Sequence, residues 1–210
     1  MKALLFDLDG TLVDSIPLWI EANLAELAKR NFTMNPQTFI AEIYQKGLHY
    51  HGILEKCGIS MDRAQEFYDN RNKLFDELLR TKIEWLGEAG TTLQECTARL
   101  PLGLMTGSTR HSIEAMDQRL HLSKIFREMI TFDDTGFTMK PDPYGLLLLI
   151  ERLGIDPTEC MYVGDQLVDV RASKAAGMRS CLIQTKNTPA EATEEADIVI
   201  QRIEEVLTII

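Results

Sequence analysis

Two pairs of aspartates in this sequence are candidates for metal or phosphate chemistry. Asp7 and Asp9 follow a short apolar run near the N-terminus, and Asp165 and Asp169 follow a second apolar run late in the chain. Carboxylates crowded into one crevice raise each other's pKa unless a cation compensates. An isolated Asp-x-Asp is usually a solvated turn, but two pairs at predicted strand ends favour a shared hard divalent cation. Mg²⁺ is the expected ion because it prefers oxygen ligands.

Two further places in the sequence are candidates for binding an anion. Thr106, Gly107 and Ser108 lie between an apolar run and a helical pattern. A hydroxyl, a glycine N–H and a helix N-terminus together can bind a phosphate. Lys140 precedes Pro141 on a stiff loop before another helical pattern and would supply a positive charge. Each feature alone has an ordinary interpretation, a helix cap for the first and a surface lysine for the second.

Short apolar runs alternate with amphipathic segments along most of the chain. Such runs are typical of strands buried on both faces of a parallel sheet, and the segments between them of crossover helices. We predict strands over residues 2–6, 102–105, 129–132, 160–163, 180–184 and 198–200, and helices over 109–120, 144–153 and 168–176. Gly154 and Gly177 would end the last two helices. Open α/β sheets bind ligands at the carboxyl ends of their strands, where the candidate residues lie.

The segment between the first two strands has a purely helical pattern. Its predicted helices begin at Ile16, Pro36, Ile53 and Ser60, the last with Ser60 as N-cap. We therefore expect an α/β core of residues 1–15 and 85–210, with an all-helical insertion of residues 16–84.

The composition excludes several classes of protein. The chain has 210 residues, 45% of them hydrophobic and 26% charged, which is typical of a globular protein. A net charge of −10 leaves no phosphate-neutralising surface, so neither nucleic acid nor an anionic membrane is an expected partner. The N-terminal apolar run is too short for a signal peptide, and no segment is long enough to span a membrane.

The four cysteines form no Cys-x-x-Cys pair, so a reducing, cytoplasmic location is expected. The acid-rich residues 191–197 are predicted to form a solvated loop.

Taken together, these motifs resemble those of the haloacid dehalogenase superfamily. Residues 7–15 (Asp-Leu-Asp-Gly-Thr-Leu-Val-Asp-Ser) are similar to its first motif, Thr106 to its second, Lys140 to its third, and residues 164–169 to its fourth. The resemblance extends over essentially the whole chain. It implies a Rossmann-like α/β core of parallel strands with an inserted α-helical cap domain, as in the phosphoglycolate phosphatase and β-phosphoglucomutase-like subgroup.

The resemblance also implies a magnesium-dependent phosphatase that acts on a small phosphorylated metabolite. Asp7 would be the nucleophile that forms an aspartyl-phosphate, and Asp9 the general acid and base. Mg²⁺ would be held by the carboxylates of Asp7 and Asp165 and by the backbone carbonyl of Asp9. Asp169 would support that site without contacting the ion.

The resemblance further implies that the phosphoryl group would be bound by Thr106, Gly107, Ser108 and Lys140. Many relatives have asparagine at the position of Gly107, which here offers only its amide. Gln166 likewise stands where serine or threonine is common. Neither departure removes a catalytic group.

Three residues of the insertion are candidate contacts to the leaving group. Lys46, His49 and His51 lie at the place of the family's specificity loop, and a solvated turn is an equally good interpretation.

Three alternative functions share some of these motifs. A sugar phosphomutase of the β-phosphoglucomutase type would have a histidine ten residues after the acid/base aspartate, where this chain has Trp19. A non-catalytic phospho-acceptor module would need an exposed acceptor, which an inserted cap disfavours. A dehalogenase would lack the acid/base aspartate at position 9.

We expect a monomer or a weak homodimer.

Overall fold

The chain divides into two units in the computed structural model, which describes residues 1–44, 46, 48, 50–136, 138–186 and 188–210. The sheet unit comprises Met1–Asp14 and Glu84–Ile210, and the helical unit comprises Ser15–Ile83. Each boundary lies one residue before the one expected from the sequence.

Among its described residues, the helical unit contains helices and no strand. These are α1 (Ile16–Ala28), α2 (Pro36–Phe39), α3 (Tyr50–Lys56) and α4 (Ala64–Lys82), with a π-helical turn at Ile40–Tyr44 and a 3-10 turn at Met61–Arg63. Leu27, Phe39, Ile53 and Phe67 are buried in its own apolar core. The periodic apolar residues of the sequence therefore form the core of this unit, as amphipathic helices require.

Two helix boundaries in this unit differ from the prediction. Ser60 is not the N-cap of the long helix, because its side chain accepts no hydrogen bond from the first turn and its hydroxyl donates to Asp62 instead. The helix expected from Pro36 to Ile43 changes to a π-helical turn at Ile40. Its start is as predicted, with Asn35 Oδ1 accepting a hydrogen bond of 2.8 Å from the Thr38 amide.

Six parallel strands form the centre of the sheet unit. They are β1 (Ala3–Phe6), β2 (Leu102–Met105), β3 (Glu128–Ile130), β4 (Cys160–Gly164), β5 (Arg179–Ile183) and β6 (Ile198–Ile200), in the order β3-β2-β1-β4-β5-β6. Every neighbouring pair is parallel. β1 lies between β2 and β4, with Leu5 opposite Gly103 on one side and Tyr162 on the other. The predicted parallel α/β sheet is confirmed.

Helices connect these strands. They are α5 (Ala89–Thr97), α6 (Arg110–Leu120), α7 (Leu122–Ile125), α8 (Tyr144–Leu153), α9 (Leu167–Ala175) and α10 (Ala190–Glu195). Shorter 3-10 segments occur at Phe132–Thr135, Pro157–Glu159 and Ile203–Thr208. Gly154 follows α8 at φ 68° and Gly177 follows α9 at φ 77°, so both occupy the left-handed position predicted for them. Among the described residues, no helix combines the length and apolar character needed to cross a membrane.

Three parts of the sheet unit differ from the prediction. β3 ends at Ile130, and Phe132 begins a 3-10 segment. The acid-rich segment predicted as a solvated loop contains helix α10, and Arg171 of α9 pairs with Glu191 and with Glu195 of that helix. Helix α5 was not predicted, because its sequence Ala-Gly-Thr-Thr-Leu-Gln-Glu-Cys-Thr has few apolar residues.

The two chain crossings between the units lie side by side within the sheet unit. Val13 and Trp85 form an antiparallel bridge, and the Leu86 amide donates a hydrogen bond of 2.8 Å to the Leu12 carbonyl. The Asp14 amide donates a longer bond of 3.5 Å to the Glu84 carbonyl. The chain thus leaves and re-enters the sheet unit along one short two-stranded ribbon.

Candidate active site

The candidate residues of the core meet at the carboxyl edge of the three central strands. Asp7 follows β1, Thr106 follows β2, and Asp165 follows β4. Because β1 lies between β2 and β4, these positions are neighbours although they are far apart in sequence. The edge expected to bind ligand in an open α/β sheet therefore carries the predicted groups.

Three carboxylates form a tight acidic cluster at this edge. One oxygen each of Asp7, Asp165 and Asp169 lies within 4.8 Å of the others. The Thr11 hydroxyl donates a hydrogen bond of 2.8 Å to Asp165 Oδ1. Gly10 has φ +86°, and a Cβ there would be 3.0 Å from Asp165 Oδ2, so glycine lets the loop after β1 pass close to this carboxylate.

Lys140 supplies the positive charge within the cluster. Its Nζ lies 2.6 Å from Asp7 Oδ1 and 2.6 Å from Asp169 Oδ1. It also donates a hydrogen bond of 3.0 Å to the Tyr162 hydroxyl, which in turn donates one of 2.9 Å to the Met105 carbonyl. The surface-lysine interpretation is wrong, since the side chain of Lys140 is only 11% exposed.

The electrostatics of the cluster reflect an excess of negative charge. Burial, together with the charges of Asp169 and Asp9, raises the pKa of Asp7 to about 8 against the opposing effect of Lys140. Burial and Asp169 raise the pKa of Asp165 to about 6. Asp169 and Asp7 hold the pKa of Lys140 well above its usual value despite its burial. One ammonium group cannot neutralise three carboxylates, so this donor set fits an additional hard cation.

Asp9 belongs to a separate hydrogen-bonded group beside the acidic cluster. Its Oδ2 accepts hydrogen bonds from the Ser108 hydroxyl at 2.7 Å and from the Thr106 hydroxyl at 3.2 Å. The Ser108 amide donates to the Thr106 hydroxyl at 3.0 Å. The loop after β2 therefore fixes the Asp9 carboxylate through two hydroxyl groups.

A cavity of about 180 Å³ opens onto these groups. Asp7, Asp9, Thr106, Gly107, Lys140 and Asp169 are among the residues that line it. Its volume is below the range of about 300–1,000 Å³ that is usual for drug-sized ligands. Within the described residues, this cavity fits a phosphoryl group and a small substituent.

The candidate residues of the helical unit have surface positions where the structure describes them. Lys46 is exposed, and its Nζ lies 2.7 Å from Glu42 Oε2, which also pairs with Lys56 at 2.8 Å. His51 is exposed in the first turn of α3, and His49 lies outside the described residues. A role of Lys46, His49 and His51 in binding the leaving group stays a prediction.

Two groups at the site were missed in the sequence. Tyr162 is inside β4, where an aromatic residue gives the same signal as any core residue, and only the fold brings its hydroxyl to Lys140. The Thr11 hydroxyl lies within the motif of residues 7–15, and nothing in that pattern indicates its hydrogen bond to Asp165. Gln166, noted as a departure, begins α9 by a reciprocal capping interaction with Asp169. The backbone N–H of Gln166 donates a hydrogen bond of 2.9 Å to Asp169 Oδ2.

Comparison with known proteins identifies the family. Residues 4–183 match the family described as haloacid dehalogenase-like hydrolase, which covers more than half of the chain. The chain belongs to this family.

Several similar proteins carry the names of phosphatases. The chain is 26% identical over 221 residues to N-acetylmuramic acid 6-phosphate phosphatase of Pseudomonas aeruginosa, covering 100% of this chain and 95% of that protein. It is 30% identical over 220 residues to the pyrophosphatase PpaX of Bacillus velezensis, covering 100% and 96%.

The fold recurs in solved structures. A crystal structure from Haemophilus somnus, described as a predicted phosphoglycolate phosphatase, superposes with a TM-score of 0.86 at 20% identity. The match covers 100% of this chain and 97% of that one. The predicted family, fold class and assignment to the phosphatases are confirmed.

Proposed function

We propose that this haloacid dehalogenase-like hydrolase is a Mg²⁺-dependent phosphatase of small phosphomonoesters that acts through an aspartyl-phosphate. The observation that carries the proposal is the position of the Asp7 carboxylate. It lines the cavity, lies 2.6 Å from the ammonium group of Lys140, and belongs to a three-carboxylate cluster. A buried carboxylate in such a place can attack phosphorus while neighbouring positive charge offsets its repulsion of the anionic substrate.

Asp7 and Asp9 divide the chemistry between them. A carboxylate oxygen of Asp7 forms a bond to phosphorus as the bond from phosphorus to the ester oxygen breaks. Asp9 gives its proton to that leaving oxygen. In the second half, Asp9 takes a proton from the water that attacks phosphorus, so phosphate leaves and Asp7 is restored. The hydroxyl group of Ser108 would hold Asp9 in position through both halves.

The metal would be held by the carboxylates of Asp7 and Asp165 and by the backbone carbonyl of Asp9. Asp169 fits a supporting role, because one of its oxygens pairs with Lys140 and the other accepts the Gln166 amide. When bound, Mg²⁺ would neutralise carboxylate charge and polarise the phosphoryl oxygens. Lys140, Thr106 and the Gly107 amide would bind the same oxygens from the protein side.

The helical unit would act as a cap that selects the leaving group, with Lys46, His49 and His51 as candidate contacts. The hydrolase assignment, as opposed to a phosphomutase, is supported by Trp19. Its ring packs against Phe39 at 5.6 Å and Tyr44 at 6.0 Å between centroids, and an indole cannot titrate near neutrality as histidine does.

The cellular setting proposed is a reducing cytoplasm. The four cysteines are free thiols, and three of them are buried. Small phosphorylated metabolites are the proposed partners, and the protein itself would be a monomer or a weak homodimer.

A panel of phosphomonoesters tests the proposal by phosphate release with Mg²⁺ and then with EDTA. We expect continuous turnover with Mg²⁺ only, and its loss in Asp7→Asn and in Asp9→Asn. Asp14→Asn, an exposed carboxylate five residues from Asp9, is the matched control and should retain activity. Turnover of Asp7→Asn within tenfold of the wild type would contradict the nucleophile assignment, and a single stoichiometric phosphorylation would indicate a phospho-acceptor module instead.

A further inference from the structure

The loop after β2, which carries Ser108, is joined by hydrogen bonds to the loop after β3. The Ser108 hydroxyl donates to Asp9 Oδ2 at 2.7 Å, so the position of Ser108 determines where this carboxylate is held. The Ser108 carbonyl accepts a hydrogen bond of 3.0 Å from the Phe132 amide. Two residues further along, the Arg110 amide donates one of 2.6 Å to Asp133 Oδ2. The loop after β3 therefore holds the chain at Ser108 and again where α6 begins.

The contact of Asp133 is to the backbone at the first residue of α6. Asp133 is exposed, and the N–H that it accepts belongs to Arg110. The first N–H groups of a helix have no acceptor within the helix, and the helix dipole favours a carboxylate at this end. An exposed ion pair contributes little because two side chains must be fixed, whereas a backbone donor is already fixed. This carboxylate therefore restrains the path of the chain next to Ser108.

The segment that carries Asp133 is itself fixed. Thr131 and Asp134 cap the 3-10 segment Phe132–Thr135 reciprocally. Asp134 Oδ2 accepts hydrogen bonds from the Thr131 amide at 2.9 Å and from its hydroxyl at 2.8 Å. The other oxygen, Oδ1, lies 2.8 Å from the Arg110 guanidinium. Asp133 thus extends from a short, capped segment, which suits a residue that must hold another in one place.

We infer that Asp133 is a positioning residue for the reaction. By holding the start of α6 it fixes Ser108, and through the Ser108 hydroxyl it keeps Asp9 within reach of the leaving oxygen. The inference rests on the proposed function, in which Asp9 gives its proton to that oxygen. A general acid must lie within hydrogen-bond distance of the atom that it protonates, and a displacement of about 1 Å can cost about 100-fold in rate.

Two substrates separate the protonation step from other contributions to the rate. The leaving oxygen of an alkyl phosphate needs a proton as its bond to phosphorus breaks, whereas acetyl phosphate releases acetate, which is stable as an anion. The alkyl ester is the one with the highest kcat/KM in the panel described above. The ratio of its kcat/KM to that of acetyl phosphate reports proton delivery by Asp9, because contacts to the shared phosphoryl group cancel.

This ratio is measured by phosphate release in Mg²⁺ for the wild type and for variants at Asp133 and Ser108. The matched control is Asp156→Ala. Asp156 is an exposed aspartate whose Oδ1 accepts the Thr158 amide at 2.9 Å, at the start of another 3-10 segment. That segment precedes β4, so it lies at the opposite edge of the sheet from the site. The control loses a similar hydrogen bond without affecting Ser108.

The expected result is a loss that depends on the leaving group. Ser108→Ala should lower the ratio about tenfold and Asp133→Ala about fivefold, as expected for hydrogen bonds that involve a charged group. Asp133→Asn should keep most of the ratio, because its amide oxygen can still accept the Arg110 N–H. Asp156→Ala should leave it unchanged. The double variant of Asp133→Ala and Ser108→Ala should lose no more than Ser108→Ala alone, because both changes act through one hydrogen bond.

Three results would overturn the inference. The first is an unchanged ratio in Asp133→Ala, and the second is an equal loss for both substrates, which a purely structural role would produce. The third is a double variant whose loss is the product of the two single losses, which would show that Asp133 does not act through Ser108. If Asp133→Ala does not fold, Asp133→Ser replaces it, with a side chain too short to reach the Arg110 amide.

The same measurements distinguish failure of this inference from failure of the proposed function. A wild type that releases no phosphate from any ester, or from acetyl phosphate, refutes the proposed function and the role of Asp133 with it. An active wild type whose ratio does not respond to Asp133→Ala refutes the role of Asp133 alone.

Discussion

Asp7→Asn should make the metal-free protein more stable while abolishing its activity. The pKa of Asp7 is raised from 3.8 to about 8 by burial and by neighbouring carboxylates. Between these values the folded state holds a proton that the unfolded state has lost. The free energy of unfolding therefore falls as the pH rises from about 4 to about 8. Asparagine cannot ionise, so the variant should escape this loss.

The magnitude follows from the size of the pKa shift. At about 1.4 kcal/mol for each pKa unit, a shift of this size limits the effect to roughly 6 kcal/mol above pH 8. Lys140 can pair with either Asp7 or Asp169, and a buried site relaxes when charged, so we expect about half of that limit, about 3 kcal/mol. For a chain of 210 residues this corresponds to an unfolding temperature about 7 °C higher.

Thermal unfolding in EDTA at pH 4.5 and pH 8 measures the effect. The difference between Asp7→Asn and the wild type should be small at pH 4.5 and large at pH 8, and Mg²⁺ should reduce it by stabilising the wild type. Asp14→Asn removes an exposed carboxylate and should show no such pH dependence. If Asp7→Asn is less stable than the wild type at pH 8, or if the difference does not grow with pH, the electrostatic reasoning is wrong.

Three further predictions concern the groups around the phosphoryl site. Lys140→Met should lower kcat/KM by about 100-fold or more for every phosphomonoester alike, because all share the phosphoryl group, and a loss confined to some substrates in steady-state kinetics would contradict this. Tyr162→Phe removes the hydroxyl that holds the Lys140 ammonium at 3.0 Å and should lower kcat by about tenfold with little change in KM. An unchanged kcat would show that Asp7 and Asp169 position the lysine without it. Replacing Mg²⁺ with Ca²⁺ should leave little phosphate release, because the larger ion takes a looser coordination shell, and full activity with Ca²⁺ would contradict an octahedral site.

The sequence was sufficient to predict the core of the candidate site because each group follows a local pattern. Asp7, Thr106 and Asp165 directly follow strands, and a parallel sheet brings such positions to one edge. Two apolar runs of four or five residues with a polar end identify β1 and β4 without any knowledge of long-range packing.

The remaining features depend on packing that no local pattern encodes. Tyr162 has the sequence signal of a core residue. Its hydroxyl accepts a hydrogen bond from Lys140 only because the fold brings the loop that carries Lys140 next to β4. Arg71 lies in a helical pattern where an arginine is usually solvated, yet it is 8% exposed, with its guanidinium over the ring of Trp19 in α1. The acidic residues of α10 have the sequence pattern of a loop, because the partner that pairs with them, Arg171, lies about twenty residues away. Ser60 has the residue type of an N-cap, but the 3-10 turn at Met61–Arg63 separates it from α4, which begins at Ala64.

The ribbon formed by Val13 and Trp85 has a consequence for how this architecture can change. Because the ends of the insertion are already joined inside the sheet unit, the distance that the insertion must span is fixed and short. Closing a longer loop between fixed ends adds only about 0.6 kcal/mol for each doubling of its length. The sheet unit should therefore fold with insertions of different length between Asp14 and Glu84. Helical segments of other sizes could be exchanged there while the phosphoryl chemistry is kept. Substrate range and catalytic machinery can then evolve, or be engineered, as separate modules of one chain.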